Sequence, residues 1–206
     1  MVERIHDNII GQSTLIIKLI SQLKKVAKHD VPVLIEGESG TGKELIADAI
    51  HRLSPRKSGP IIKLNCAAIP ESLLESELFG HQKGSFTGAH AHKVGLVSAA
   101  TKGTLFLDEI GELALEMQPK LLRLLQEGEI KPVGSSRSKT VDVRVITATH
   151  RNRLEMIKQD RFRLDLYFRL NVLRINLLSL RERVDDIKIL TDQFVSGFCE
   201  RDKKPT

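Results

Sequence analysis

Cysteine is scarce in this chain. Cys66 and Cys199 are its two cysteines, they lie far apart, and they form no CxxC motif. The sequence therefore indicates neither a disulfide framework nor a cysteine-based zinc site. His90 and His92 are a close histidine pair, but no cysteine or acidic cluster stands beside them. We do not expect them to bind a metal.

Long apolar runs are also lacking. No stretch approaches the ~20 apolar residues of a membrane span, and residues 1–10 lack the layout of a signal peptide. We therefore expect a cytoplasmic protein that does not contact a membrane. With 206 residues, 41% of them hydrophobic, the chain is long enough for one domain with a core. The net charge of +6 is scattered along the chain, so a solvated surface and a nucleotide site account for it without direct nucleic-acid binding.

A glycine-rich segment, GESGTGKE, occupies residues 37–44. The apolar run 31–35 precedes it and the amphipathic segment 45–53 follows it, which predicts a strand, a loop and a helix. This spacing in this context is typical of a phosphate-binding P-loop, in which backbone N–H groups surround a polyphosphate and Lys43 adds a positive charge. The residues expected to bind a nucleotide here are Gly37, Glu38, Ser39, Gly40, Thr41, Gly42, Lys43 and Glu44.

Glu44 stands where most P-loops place a Ser or Thr hydroxyl on Mg²⁺. Metal binding must then depend on a carboxylate elsewhere, and the apolar strand 105–107 ends in a candidate pair, Asp108 and Glu109. An Asp at the carboxyl end of a buried strand can hold Mg²⁺, and Glu109 is placed to orient or deprotonate an attacking water. The alternative is a strand that merely ends in two solvated acids.

Strand patterns alternate with helical patterns along the whole chain. Strands are predicted near 31–35, 61–65, 105–109, 141–149 and 172–177, with helices between them and Ser13 as the N-cap of the first helix. This order predicts an α/β fold, a three-layer sandwich around a mostly parallel five-stranded sheet. Ligands bind at the carboxyl ends of such strands, so the polar residues 147–150 should lie near the phosphates.

Two segments are ambiguous from their residues alone. The apolar residues 9–11 could enclose an adenine ring or simply pack against the core. Phe86 stands between glycines in the segment 80–89. It could fold back into the core, which the pattern favours, or be exposed on a mobile loop that contacts a partner.

Arg163 and Arg169 are six residues apart on a predicted helix and cannot share one face well. Ion pairs with Asp165 or Glu155 would explain one or both of them. The alternative is that they reach a phosphate on a neighbouring subunit.

Taken together, these segments resemble the AAA+ domain of bacterial enhancer-binding proteins, the ATPases that activate RNA polymerase carrying sigma-54. The resemblance runs from about Ile9 into the last helix, and GxFTGA is that family's signature. Ser85 stands where the family most often has alanine. The matching segments are GESGTGKE, LNCAA at 64–68, ESELFGHQKGSFTGA at 75–89, GTLFLDEIGEL at 103–113, FRLDLYFRLNV at 162–172 and LRER at 180–183.

The resemblance implies a role for each matching residue. It implies ATP and Mg²⁺ as cofactors, Ile10 beside the nucleotide, Asp108 on the metal, and a ring, typically a hexamer. Promoter DNA would be an indirect partner. The catalytic residues would be Glu109, Lys43, Asn65, Thr149, Arg163 and Arg169, with Asn65 hydrogen-bonded to Glu109. The contact with sigma-54 RNA polymerase holoenzyme would be made by Gly84, Ser85, Phe86, Thr87, Gly88 and Ala89.

The family continues into a helical lid with a second sensor arginine. We expect residues 1–206 to form the α/β nucleotide-binding subdomain, with the lid missing or only begun and the DNA-binding domain absent. Loss of the lid would affect turnover more than binding, so a module that binds ATP without efficient turnover is one alternative. Another AAA+ remodelling ATPase is a second alternative, but it would have no reason to carry GSFTGA.

Overall fold

The structure is a computed structural model that describes residues 9–151 and 153–202. Residues 1–8, 152 and 203–206 of the predicted domain lie outside the described residues. The strands are β1 (Val33–Glu36), β2 (Ile61–Asn65), β3 (Gly80–His81), β4 (Lys93–Val94), β5 (Thr104–Asp108), β6 (Glu129–Ile130), β7 (Lys139–Thr140), β8 (Arg144–Thr149) and β9 (Leu173–Asn176). The helices are α1 (Thr14–Val26), α2 (Lys43–Leu53), α3 (Glu71–Phe79), α4 (Leu96–Ala99), α5 (Gln118–Glu127), α6 (Arg153–Lys158), α7 (Leu164–Leu170) and α8 (Asp185–Asp202).

The central sheet has five strands in the order β2-β5-β8-β1-β9, and all its neighbouring pairs are parallel. All residues of the middle strand, β8, are buried, as expected for a strand covered by helices on both faces. The predicted five-stranded α/β sheet is confirmed. Because the strands are parallel, their carboxyl ends meet at one edge, where Asn65 lies opposite Asp108 and Glu36 opposite Thr149.

The core divides into two clusters, one on each face of the sheet. Phe106 and Ile146 pack on one face with residues of α1 and α2, whereas Leu105, Leu107 and Val145 pack on the other with residues of α3, α5 and α7. Successive strand residues point to opposite faces, so the apolar runs of the central strands serve both clusters. This arrangement gives the three layers that the alternating pattern predicts.

Helix α1 is fixed to the domain at both ends. Ser13 is its N-cap as predicted, and its hydroxyl oxygen accepts a hydrogen bond from Ile16 N at 3.3 Å. At the other end the buried Arg144 donates to the carbonyls of Ala27 and Val26, at 3.1 and 3.0 Å. A cation suits this position because the carbonyls at a helix C-terminus carry partial negative charge.

Two short antiparallel hairpins, β3 with β4 and β6 with β7, were not predicted. The strand predicted over 141–149 begins only at Arg144. The residues before it make hydrogen bonds outside the central sheet: Val141 N donates to the Gly128 carbonyl, and the Asp142 carbonyl accepts from Lys102 N, both at 2.7 Å. No helix in the described part of the chain combines the length and apolarity needed to cross a membrane.

Candidate active site

The loop between β1 and α2 has the backbone shape of a P-loop. Gly40 and Gly42 have φ angles of 79° and 91°, a left-handed region that favours glycine, and Gly42 is the N-cap of α2. Gly37 is required for space instead, since a Cβ there would lie 2.9 Å from the Leu177 Cβ and the Thr41 Oγ1. The loop therefore places backbone N–H groups at a helix N-terminus, an arrangement suited to an anion.

The ammonium group of Lys43 lies at the centre of this loop. The residue is only 6% exposed, and its Nζ donates to the carbonyls of Gly37 and Glu38, both at 3.2 Å. The same Nζ lies 3.6 Å from the Glu109 Oε1. These contacts hold the positive charge between the loop and the carboxyl end of β5, where a polyphosphate would need it.

Asp108 and Glu109 end β5 at the same edge. The Asp108 Oδ1 accepts a hydrogen bond from Glu109 N at 3.0 Å, and Glu109 adopts φ 52° and ψ 49°. Left-handed backbone at a non-glycine residue is strained, and such strain concentrates at functional sites. Burial, followed by the neighbouring charge of Glu109, raises the pKa of Asp108.

Asp108 is also suited to a hydrated cation. Across the described residues, no group of three or more His, Cys, Asp or Glu side chains is arranged to hold a metal ion. Mg²⁺ at nucleotide sites is normally held by one or two carboxylates together with phosphates and water. A half-buried carboxylate whose pKa is raised by burial would be stabilised by such a cation, so Asp108 fits the role.

The carboxylate of Glu109 is engaged on both sides. Opposite Lys43, its Oε2 accepts hydrogen bonds from the His150 Nδ1 at 2.7 Å and from His150 N at 3.3 Å. Because a carboxylate only accepts, the Nδ1 of His150 must carry the proton. His150 therefore fixes the direction in which Glu109 points.

Thr149 and Asn65 end the strands on either side of β5 but make no hydrogen bond to Glu109. The carbonyl of the fully buried Thr149 accepts a hydrogen bond from Gly37 N at 3.3 Å, which ties β8 to the P-loop. The Asn65 Oδ1 accepts from Ala67 N in its own turn at 2.8 Å. The hydrogen bond that the resemblance implies between Asn65 and Glu109 is thus absent from this arrangement, in which His150 takes that position.

An open cleft of about 620 Å³ lies beside the P-loop. Ile9 and Ile10 line it, and Ile9 also belongs to the core cluster of α1 and α2, so the apolar segment before α1 packs against the core and borders the phosphate loop at the same time. Its walls are mostly apolar, which suits the flat ring of a nucleobase. The described lining residues are Ile9, Ile10, Leu15, Ile16, Leu19, Thr41, Gly42, Leu45, Ile46, Asn176, Leu177, Leu178, Arg183 and Leu190.

Two acidic P-loop residues form ion pairs outside the loop. Glu38 is paired with Arg181, whose Nη1 lies 2.8 Å from the Glu38 Oε2. Glu44 accepts a hydrogen bond from the Lys63 Nζ at 2.9 Å. The side chains of these two members of the predicted nucleotide set are exposed and do not line the cleft, and Ser39 is exposed at the loop tip.

The GSFTGA segment is the tip of the β3–β4 hairpin. Gly84 and Gly88 have φ angles of 79° and 103°, and Gly84 N donates to the Ala89 carbonyl at 2.8 Å. Phe86 is 39% exposed and rests edge-on against the His81 ring, with 5.0 Å between centroids. The core position that the residue pattern alone favours for Phe86 is wrong, because the flanking glycines turn the tip outward.

Ala89 differs from the other residues predicted to contact a partner. It is 5% exposed, and its N donates to the Phe86 carbonyl at 3.0 Å. Its side chain therefore closes the base of the loop. The exposed surface of the tip is formed by Gly84, Phe86, Thr87 and Gly88, with Ser85 partly covered.

Arg163 and Arg169 lie apart from the P-loop contacts. Arg163 precedes α7 as its N-cap residue and pairs with Asp165 at 2.8 Å, as one of the alternatives expected. This hydrogen bond holds the pKa of Asp165 below its usual value. Arg169 lies near the end of α7 and donates from Nε and Nη2 to the Leu125 carbonyl, at 3.1 and 3.0 Å. Both guanidinium groups are exposed on the surface of this chain.

Comparison with protein families gives a match to the sigma-54 interaction domain over residues 9–176. The chain belongs to this family. It is 50% identical to the transcriptional regulatory protein GlrR of Escherichia coli strain K12 over 201 residues. This alignment covers 98% of this chain and 45% of GlrR. The chain therefore spans less than half the length of that relative.

Solved structures show the same architecture. NtrX from Brucella abortus in complex with ATP superposes with a TM-score of 0.88 and 36% identity, over 94% of this chain and 42% of NtrX. The P-loop NTPase domain described as that of the sigma-54 transport activator from E. coli superposes with a TM-score of 0.56 and 20% identity, over 83% of this chain and 99% of that one. The second likeness supports the α/β P-loop NTPase fold alone.

Three contacts in this sigma-54 interaction domain were missed from the sequence. They are the bond between His150 and Glu109, the pair of Arg181 with Glu38, and the place of Arg183 in the cleft. His150 directly follows a strand predicted to end at the site, so its position was a usable signal. No local pattern indicates the pair of Arg181 with Glu38 or the position of Arg183, because each brings a residue after β9 close to a distant part of the chain.

Proposed function

We propose that this chain is an ATP-hydrolysing transcriptional activator domain that contacts RNA polymerase carrying sigma-54 through its GSFTGA loop and remodels the closed promoter complex. One observation carries the proposal: Lys43, Asp108 and Glu109 lie together at one edge of the sheet, and the same chain exposes Phe86 at the GSFTGA tip. Family membership and the ATP complex of NtrX support it.

The residues at the carboxyl edge of the sheet have separate roles in the proposed hydrolysis. P-loop N–H groups and Lys43 hold the β- and γ-phosphates of ATP, and Glu109 accepts a proton from the water that attacks the γ-phosphorus. The bond to the β–γ bridging oxygen breaks, which yields ADP and phosphate. Mg²⁺ beside Asp108 would neutralise charge on the phosphates.

Two arginines from a neighbouring copy would complete the site. Arg163 and Arg169 contact Asp165 and Leu125 rather than the P-loop of their own chain, which supports a hexameric ring in which each offers charge to the next subunit. Arginine fingers elsewhere contribute about 10³- to 10⁵-fold in rate. Nucleotide state would be passed through Asn65 and Thr149 to the Phe86 and Thr87 tip.

A second candidate function is ATP binding without turnover by the single chain. It is favoured by the same position of Arg163 and Arg169, since an isolated chain lacks the charge that stabilises the transition state. The two functions differ in whether activity appears when copies meet.

The test compares wild type with Phe86→Ala, Glu109→Gln and Phe194→Ala, in assays of ATP hydrolysis and of sigma-54 binding. Phe194→Ala is the matched control, because Phe194 is an exposed phenylalanine on α8. We expect Phe86→Ala to hydrolyse ATP as wild type does and to lose sigma-54 binding by about 10-fold or more, as loss of an interface hot spot does. Glu109→Gln should bind ATP and hydrolyse none. Loss of both activities in Phe86→Ala, or of neither, would contradict the role of the loop.

A further inference from the structure

Arg183 closes the LRER segment, which the proposed mechanism leaves without a role. A 3-10 turn at Leu180–Glu182 positions it, and a capping box between Ser179 and Glu182 fixes that turn. The Arg183 side chain is only 14% exposed and lines the cleft beside the P-loop. A guanidinium at this depth normally has hydrogen-bonding partners.

The guanidinium of Arg183 lacks such partners among the described residues. Its Nε is buried and makes no hydrogen bond there. Its nearest carboxylate oxygen is the Asp186 Oδ2, 3.9 Å from Nη1, which is too long for a hydrogen bond. Asp186 instead accepts from Gln12 N at 2.7 Å, Ser13 N at 2.8 Å and the Ser13 hydroxyl at 2.7 Å. The N–H donors of Arg183 therefore remain available.

The other polar side chains that line this cleft already have partners. Thr41 donates its hydroxyl to the Glu38 carbonyl at 2.8 Å, and the Asn176 Oδ1 accepts from the Arg174 Nε at 3.0 Å. Leaving a guanidinium without acceptors in a mostly apolar cleft is costly, and a ligand with acceptor atoms would relieve that cost. The cleft adjoins Thr41 and Gly42 of the phosphate loop. A ligand in the cleft can therefore be part of the same molecule as the phosphates that the loop would bind.

We propose that Arg183 is a nucleotide-binding residue that donates hydrogen bonds to the adenosine half of ATP. A purine offers ring-nitrogen acceptors and a ribose offers oxygens, whereas a guanidinium only donates, so the two chemistries are complementary. The inference rests on the proposed nucleotide function of the same site. It adds a residue that selects a nucleoside triphosphate over a bare polyphosphate.

The test measures the dissociation constants of ATP and of inorganic tripolyphosphate, which carries the phosphates without adenosine. Arg183→Met keeps the apolar stem and removes the donors. We expect it to weaken ATP binding by about 10- to 100-fold, as loss of a charge-assisted hydrogen bond does. Tripolyphosphate should bind as it does to wild type, which also shows that the variant is folded. Arg183→Lys keeps the charge without the planar fork and should fall between the two.

Arg123→Met is the matched control, because it removes one exposed arginine from α5. It should bind both ligands as wild type does. Thermal melting without nucleotide gives a second measure: Arg183→Met should melt close to wild type, because the buried Asp186 loses the positive charge 3.9 Å away but keeps its hydrogen bonds from Gln12 and Ser13. Its stabilisation by ATP should nevertheless be smaller. Unchanged ATP affinity in Arg183→Met, or equal losses for ATP and tripolyphosphate, would overturn the inference.

Failure of the proposed function can be told apart from failure of this inference. A wild-type chain that binds ATP but neither binds sigma-54 nor hydrolyses ATP would remove the activator function, and the Arg183 comparison would still be decided by the two ligands. A wild-type chain that binds no ATP would overturn both.

Discussion

Glu109 combines a strained backbone with two polar contacts in the candidate site. Its backbone is left-handed, Lys43 lies 3.6 Å from one carboxylate oxygen, and His150 holds the other at 2.7 Å. A general base must be oriented before its pKa matters, and a neighbour that fixes its direction contributes through that orientation. His150 thus acts as a positioning residue for Glu109 in the proposed reaction.

Replacing His150 by alanine tests this role. Without the imidazole, the Glu109 carboxylate loses its side-chain donor, so we expect kcat for ATP hydrolysis to fall by about 10-fold with KM nearly unchanged. His150→Asn retains a short donor and should recover part of the rate. The measurement is steady-state hydrolysis over a range of ATP concentrations.

His29→Ala is the control for that substitution, because His29 is an exposed histidine just after α1. It should match wild type in kcat and KM. A His150→Ala variant with raised KM and unchanged kcat would show that His150 aids ATP binding instead of orienting Glu109.

The GSFTGA hairpin is supported by a second segment at the level of elements. His81 forms a bridge with Val133, and Gln82 N donates to the Val133 carbonyl at 2.9 Å. Gly134 follows with φ 76°, and a Cβ there would lie 2.5 Å from the Ser85 Cβ. The base of the GSFTGA loop is therefore packed directly against residues 133–134.

Gly134→Ala should displace the loop without touching the sheet edge. The added methyl meets Ser85 and the left-handed backbone costs roughly 1–2 kcal/mol for a residue with a Cβ. We expect sigma-54 binding to fall by about 10-fold, in line with loss of a positioned contact. ATP hydrolysis should stay within about 2-fold of wild type, because a substitution at the loop is not expected to alter a separate site with which it shares no contacts.

A compensating variant separates steric clash from backbone strain. Ser85→Gly removes the Cβ that Gly134→Ala would meet, so the double variant should regain most of the lost sigma-54 binding. No recovery in the double variant would mean that backbone strain at residue 134, rather than the clash with Ser85, displaces the loop.

At the scale of the whole molecule, the sheet edge and the two arginines proposed to act on a neighbouring copy lie apart. Glu109 and Lys43 lie at the sheet edge, whereas Arg163 pairs with Asp165 and Arg169 rests on the Leu125 carbonyl. A closed ring of identical subunits would bring the arginines of one chain to the P-loop of the next. The proposed ring therefore predicts that turnover depends on assembly.

Mixing two inactive variants tests assembly. Arg169→Ala keeps its own Glu109, and Glu109→Gln keeps its own Arg169, so an interface between them can contain both groups. An equimolar mixture should recover about one quarter of wild-type ATPase activity if subunits mix at random in a ring. Wild-type activity per chain should also rise with protein concentration.

Each variant alone supplies the blank for the mixture. Activity in the mixture that does not exceed the sum of the separate variants would contradict completion of the site in trans. Wild-type activity per chain that does not change with concentration, at a level above the Glu109→Gln blank, would contradict it as well.

Local patterns determined a large part of this protein. The glycine spacing of residues 37–43 permits the loop conformation found, because Gly40 and Gly42 adopt positive φ angles that other residues rarely adopt. The apolar run before Asp108 and the alternation of strands with helices predicted the parallel sheet and the edge where its acids lie. These features depend on residues close together in the chain, which is why pattern and spacing suffice for them.

Tertiary structure alone decided the contacts between distant residues. Glu109 and His150 are 41 positions apart, and Glu38 and Arg181 are 143 apart. The closeness of each pair follows from strand order and from how the turn after β9 packs on the P-loop. The free donors of Arg183 and the fit of Ser85 against Gly134 likewise exist only once separate elements have packed. Sequence determined which chemical groups are available, and packing decided which of them meet, because contact depends on distance in space.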